Sequence, residues 1–324
     1  MKCLREFSLP LFVVVMGIFM ASASELFGQL SSSNQFDLKM ALTNRVAIFT
    51  INGVATNANG PIDLFFKTNF TDPGGWAWQY RCPLGQSNLV MSNLPPGQGF
   101  FTLGITNAIR PGFDEFLLPA EDDDPSTNAS LPFAMNFFGT AWSNVWVNNN
   151  GNVTFDYPQS SYSPSSLNSL GVRIIAPFWA DVDTRGAGSG VVKYGSGTVN
   201  GHNAFGVDWV NVGYFSQHTD KLLSCQLIII DRSEVAPGDF DMEFNYDRVQ
   251  WEWGDANQPN TPPRAGFSDG TGDYELPDSG LIGAFLDSNP VTGLIYHVDH
   301  NSAAGSRVPG RFIFLFRDGT PLSP

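Results

Sequence analysis

Asp181 and Asp183 stand two residues apart at the end of the run Ala176-Pro177-Phe178-Trp179-Ala180-Asp181-Val182-Asp183. Side chains two apart on a strand share a face, so both carboxylates would point the same way. With Thr184 and the glycine-rich Gly186–Gly190 stretch beyond, they make an oxygen-rich pair suited to Ca²⁺. The plainer reading is a solvated face and a turn whose backbone amides the aspartates cap. Glu121-Asp122-Asp123-Asp124 would add carboxylates to such a site, although acidic residues before Pro125 ordinarily mark a surface loop. Ser268-Asp269-Gly270-Thr271-Gly272-Asp273 is acidic too, but it lacks the alternating ligands and distal Glu of a calcium loop and reads as a turn.

Trp251 and Trp253, with Glu252 between them, are the candidates for ligand contact by ring stacking, expected near a sheet end with part of their surface exposed. Trp142, Trp146, Trp179 and Trp209 alternate with other apolar residues, a pattern that core packing explains. His297 and His300 are three apart and face opposite sides of a strand, which is poor geometry for one metal. There is no Gly-x-Ser-x-Gly elbow and no His-Glu-x-x-His, and acid pairs such as Asp241 with Glu243 arise by chance in an acidic chain. The expectation is no enzyme and no cofactor.

The elements that position these groups are strands. Asn150-Gly151 between two β-rich runs predicts a two-residue type I′ hairpin, in which Asn149 faces Asn152 and Trp146 faces Phe155. Phe240, Met242, Phe244 and Tyr246 share one face, and Asp241, Glu243 and Asn245 the other. Past Asp247 the apolar set becomes Val249, Trp251 and Trp253, so parity slips by one; this predicts a β-bulge at Asp247–Arg248. No stretch of ten or more residues carries a 3.6 period. The fold class is all-β, an antiparallel β-sandwich preceded by a small β module.

Of 324 residues, 31 are acidic and 17 basic, a formal charge of −14, which excludes nucleic acid as a partner and disfavours anionic lipid. Low charge content with 33 Gly and 22 Pro suits many short strands joined by turns. Lys2 and Arg5, the apolar run Leu9–Met20 and Ala21-Ser22-Ala23 make residues 1–23 a signal peptide, so the mature protein is expected to be secreted, extracellular or at the cell envelope, without membrane insertion. Strand-like runs at Val46–Ile51, Ile62–Thr68, Trp76–Arg81, Leu89–Met91 and Gly99–Leu103 define a small all-β module over 36–104. Cys82 and Cys225 each share a face with apolar neighbours and are expected as buried free thiols rather than a disulfide. Asn69, Asn128 and Asn152 lie in Asn-x-Ser/Thr triplets.

The second block, 112–317, resembles the nidogen-like (NIDO) extracellular domain family of matrix proteins, mucins and exported bacterial proteins. The resemblance is carried by Phe137-Phe138-Gly139-Thr140, the Asn148–Asn152 hairpin, the Ala176–Asp183 segment, Phe205–Trp209, Asp239–Tyr246, Arg264–Phe267 and the closing strand Gly310–Phe314. It points to the bacterial secreted type. Cys225, where an aromatic is more usual, and the region Ser288–Ser306 depart from the pattern. Similarity to this family implies a non-enzymatic role in cell–matrix or cell-surface adhesion, with a matrix or surface protein or a glycan as partner. A carbohydrate-binding protein is the alternative reading.

Overall fold

The structure is a computed structural model, and it describes residues 13–15, 37–43, 46–52, 62–67, 77–83, 88–91, 100–104, 107–123, 125–254, 261–297 and 308–322. Most of the expected signal segment, the turn clusters at 57–61 and 72–75, Asn69, Trp76, Asp124 and His300 lie outside the described residues. The chain divides into two compact units, Met1–Thr106 and Asn107–Pro324. Among the described residues every long element is a strand, and the two helical pieces are single 3₁₀ turns, so the all-β expectation holds.

The first unit has two antiparallel sheets. One orders β1 (Val13–Val15), β7 (Phe100–Gly104), β4 (Ile62–Lys67) and β5 (Ala77–Cys82); the other orders β2 (Asp37–Thr43), β3 (Val46–Asn52) and β6 (Asn88–Met91). The five strand-like runs each contain a strand, and the structure adds β1 and β2. Cys82 is buried and unpaired. Beside it, Arg81 grips the fully buried Asp63 through Nε and NH2, both at 2.8 Å, and Trp78 Nε1 donates to the same carboxylate. Those donors offset the cost of taking the Asp63 charge out of water.

In the second unit a six-stranded sheet runs β19 (Asp273–Glu275), β18 (Arg264–Ser268), β12 (Ile174–Trp179), β11 (Asn152–Thr154), β10 (Thr140–Asn148), β9 (Pro125–Phe137). The larger sheet runs β21 (Thr320–Pro321), β20 (Arg311–Arg317), β17 (Phe240–Val249), β16 (His218–Asp231), β15 (His202–Tyr214), β14 (Lys193–Val199), β8 (Phe116–Leu117). The two-residue β13 (Val182–Asp183) pairs with the far end of β15. Between the sheets lies one apolar core, in which Phe137 stacks on Phe155 at 4.6 Å and Phe240 on Phe316 at 4.5 Å. This is the face-to-face packing of a sandwich.

Turn chemistry sets the strand registers. Phe138-Gly139, Asn200-Gly201 and Asp318-Gly319 each join paired neighbours with both central residues at positive φ, as a type I′ turn requires. The expected bulge is present: Ser224 pairs with Arg248 and Cys225 with Tyr246, leaving Asp247 as the extra residue. Cys225 faces the core with Leu227 and Ile229 as a free thiol.

The acidic face of β17 is not solvated. The segment 107–114 lies over it and over the neighbouring strands, seating Phe113 against Val199, Ala204, Ile228 and Ile230 of β14–β16. Gly206 allows this, because a Cβ there would lie 2.5 Å from the Phe113 ring. Alongside, Arg110 reaches both oxygens of Glu243 at 2.7 and 2.8 Å, and Gln226 Nε2 donates to the Arg110 carbonyl and to Asp208. Asp241 is held between Arg232 and Arg317. Buried carboxylates persist there because each has a cation or amide to meet it.

Candidate functional site

The Asn-rich hairpin differs from its expected register. Asn148 pairs with Asn152 and Trp146 with Thr154, so the loop has three residues, Asn149-Asn150-Gly151, instead of two. Only Gly151 takes a positive φ (+76°), and its N–H donates to Asn149 O at 2.9 Å. The side chains decide this. Asn148 Nδ2 donates across the ladder to Asn152 Oδ1 at 2.8 Å and to Thr154 Oγ1 at 3.1 Å, which locks these residues as partners.

Nor is the tip a solvent-exposed turn, since residues 148–152 are all buried. It clasps the strand end that carries Asp181 and Asp183. Gly151 O and Asn150 O accept from the N–H groups of Phe178 and Ala180. Asn150 Oδ1 accepts from Val182 N at 2.9 Å, and Asn150 Nδ2 donates to Asp123 Oδ1 at 2.9 Å. Asn149 Nδ2 donates to the carbonyls of Val182 and Asp122, while Trp209 Nε1 donates to Asn149 O at 2.9 Å. Thr184 completes the knot, exchanging backbone and hydroxyl hydrogen bonds with Glu121 at 2.8–2.9 Å. Residues 121–123, distant in sequence, are thereby fixed against 181–184.

The two sequence candidates have different surroundings. Asp183 is fully buried and saturated: Arg185 binds it through Nε (2.9 Å) and NH2 (2.6 Å), and the N–H groups of Arg185 and Gln217 donate to it at 3.0 and 2.9 Å. Burial pushes its carboxyl up, but these donors outweigh burial and hold it below the usual range. Asp181 gathers instead with Asp122 and Asp123, each offering a carboxylate oxygen within 4.8 Å of the others. Asp181 is 6% exposed, and its Oδ1 is buried with no hydrogen-bond partner. Burial, then the charges of Asp123, Asp122 and Asp183, push its pKa up to about 7. Asp122 rises to about 6, through burial and then Asp183 and Asp123, although Arg185 NH2 lies 2.6 Å from its Oδ2. Sequence spacing pointed to Asp181 and Asp183 as a pair; the structure gives Asp183 to Arg185, the run at 121–123 supplies the neighbours of Asp181, and Asn149 is the residue that spacing gave no reason to choose.

Trp251 is only 3% exposed, and its indole N–H donates to Val212 O at 3.2 Å. The rings of Phe178 and Tyr214 pack around it, at 5.8 and 5.5 Å. The expectation of an exposed stacking face therefore fails for Trp251, because the core occupies the space a sugar would need. Trp253 is half-buried. Between them Glu252 is buried and caps a loop, accepting from Gly283 N at 2.6 Å and Phe285 N at 2.8 Å.

A groove of about 740 Å³ opens beside the 107–114 segment, lined by Asp114, Lys193, Asp208 and Asp247 among others, without histidine or cysteine. His202 and His218 lie on separate hairpins beside Glu234 and Asp220. Exposed apolar side chains gather in the 281–291 loops: Leu281, Ile282 and Val291 are 58%, 60% and 75% exposed. Asn289 ties these loops, donating to Gly283 O and accepting from Val291 N. No helix among the described residues is long and apolar enough to cross a membrane.

Comparison with known proteins agrees with this architecture. The family model for the nidogen-like domain matches residues 143–317. Alpha-tectorin of Mus musculus is 28% identical over 237 residues, 64% of this chain and 10% of that protein, and alpha-tectorin of Homo sapiens gives the same figures. The chain thus spans about a tenth of the length of these curated relatives. No solved structure matches it. With more than half its length matched in a sheet-only sandwich, the chain belongs to the nidogen-like domain family.

Proposed function

We propose that this is an exported, non-enzymatic adhesion protein that binds an extracellular matrix or cell-surface protein. In this reading residues 1–23 are removed as a signal peptide, taking the three-residue edge strand β1 with them, residues 36–104 form an accessory β module, and residues 112–317 form the adhesive domain. The observation that carries it is the nidogen-like match over 143–317, supported by the similarity to alpha-tectorin. Leu281, Ile282 and Val291 are the contact residues it favours, since apolar side chains held out on tied loops suit protein contact. Burial of Trp251 weighs against glycan stacking as the main mode of recognition.

The test is expression of the full chain with its own amino terminus. The expected result is protein outside the cell beginning near Ser24, retained on a protein-coated matrix whether or not glycans have been enzymatically removed. Retention inside the cell, or binding abolished by glycan removal, defeats the proposal.

A further inference from the structure

The knot around Asp181 is over-supplied with negative oxygen. Among the described residues, Arg185 is a cation that acts on all four carboxylates of Asp122, Asp123, Asp181 and Asp183. Arg185 is already committed to both oxygens of Asp183 and to one of Asp122. If the acids served only as turn caps, backbone N–H groups would meet their oxygens, as they do at Asp183. At Asp181 Oδ1 and Asp122 Oδ1 no donor arrives, and both atoms are buried. Asn149 adds a separate observation. It is 1% exposed, both its N–H bonds are directed at the carbonyls of Asp122 and Val182, and its Oδ1 is a third buried oxygen with no donor in the same knot. Orphaned buried oxygens are costly, and several in one place mark where a positive ligand belongs.

We infer that Asp122, Asp123 and Asp181 bind one Ca²⁺, with Asn149 as the neighbouring neutral oxygen, where residues 121–123 dock on 181–184. The donors are all oxygen, which selects a hard cation over zinc or copper. Carboxylate oxygens within 4.8 Å of one another fit around Ca²⁺, whose ligands stand at about 2.3–2.6 Å; Mg²⁺ requires a tighter octahedron. Gly254 keeps the place open, because a Cβ there would lie 2.7 Å from Asp181 Oδ2. The site is independent of the adhesion reading. Its role would be to fasten residues 121–123 onto the sandwich.

The experiment is calorimetric titration and thermal unfolding of the full chain in EDTA, in Ca²⁺ and in Mg²⁺. Ca²⁺ at millimolar concentration should raise the melting temperature by about 5 °C and bind at least about tenfold more tightly than Mg²⁺. Asp181→Asn relieves repulsion, so its melting temperature in EDTA should equal or exceed that of the unaltered chain, while its Ca²⁺ response disappears. Asp123→Asn, at a less buried position, carries the same test should the first variant not fold. Identical melting in EDTA and Ca²⁺ with no binding heat overturns the inference, and so does an undiminished Ca²⁺ response in the folded variants.

Discussion

Asp247, the extra residue of the β17 bulge, sets its Oδ1 2.6 Å from the backbone nitrogen of Ala108, 139 residues earlier in the chain. The bulge restores the apolar parity of the strand, and it also turns a carboxylate outward to anchor the segment that covers the outer face of the larger sheet. Arg311 holds the same segment from the other side by donating to Ala108 O. Asp247→Ala removes a charged acceptor from a buried N–H, and it should cost about 1–3 kcal/mol in chemical denaturation. Asp247→Asn, which keeps an oxygen in place, should cost less.

Gly151 is indispensable to the hairpin tip. A Cβ there would lie 1.7 Å from Phe178 O, at a φ of +76° that side chains rarely adopt. Gly151→Ala should cost more than about 3 kcal/mol or prevent folding, because the tip cannot withdraw from the strand it clasps. Gly139→Ala, with open space around it, isolates the backbone contribution and should cost about 1–2 kcal/mol.

Glu243 gives the domain an acid limb. Burial raises its carboxyl, but the hydrogen bonds from Arg110, the charge of Arg311 and the amide of Asn245 outweigh burial and leave it below the ordinary range. A folded pKa below the unfolded one means stability present above pH about 4.3 and lost as pH falls through the lower folded value. Glu243→Gln should therefore be less stable at pH 7 and show a shallower decline between pH 4 and pH 2, read from denaturation midpoints at each pH.

Asp208 works in the opposite sense. Burial and the nearby Asp114 raise it to about 6, against the opposing hydrogen bond from Gln226 and charge of Lys193. With the folded pKa above the unfolded one, its contribution is complete below pH about 4 and lost as pH rises through about 6. Asp208→Asn keeps an oxygen for Gln226 and should stabilise the protein by up to about 2 kcal/mol at pH 7.5, with the gain gone at pH 4.

Trp251 is expected to matter for stability before anything else. Trp251→Ala should cost about 3–5 kcal/mol and lower the unfolding midpoint. Trp253→Ala, at a half-buried position, should cost less. A Trp251→Ala variant as stable as the parent would mean that the ring is not packed as described.

Much of the architecture was legible because strand parity is a local property. The faces of β17 and the bulge at Asp247 follow from which side chains are apolar, and a one-residue slip in that pattern has few physical remedies. The burial of Cys225 followed from the same alternation. The Asn150-Gly151 loop departs from the two-residue register because that rule assumes that the loop side chains face water. Here Asn149 and Asn150 are bonded to Val182 and to residues 122–123, so tertiary contacts set the loop length.

Sequence alone therefore determined the class of fold and its family, since both rest on alternation, turn residues and motifs read in order along the chain. It also marked Asp181 and Asp183, as a pair. Only the folded chain decided that Asp183 is neutralised by Arg185 while Asp181 meets Asp122 and Asp123, because charge pairing depends on which distant segments dock. Trp251 and Trp253 show the same division: their spacing predicted a shared strand face, but both lie past the end of β17, where Phe178 and Tyr214 pack on Trp251 and Trp253 stays half-buried.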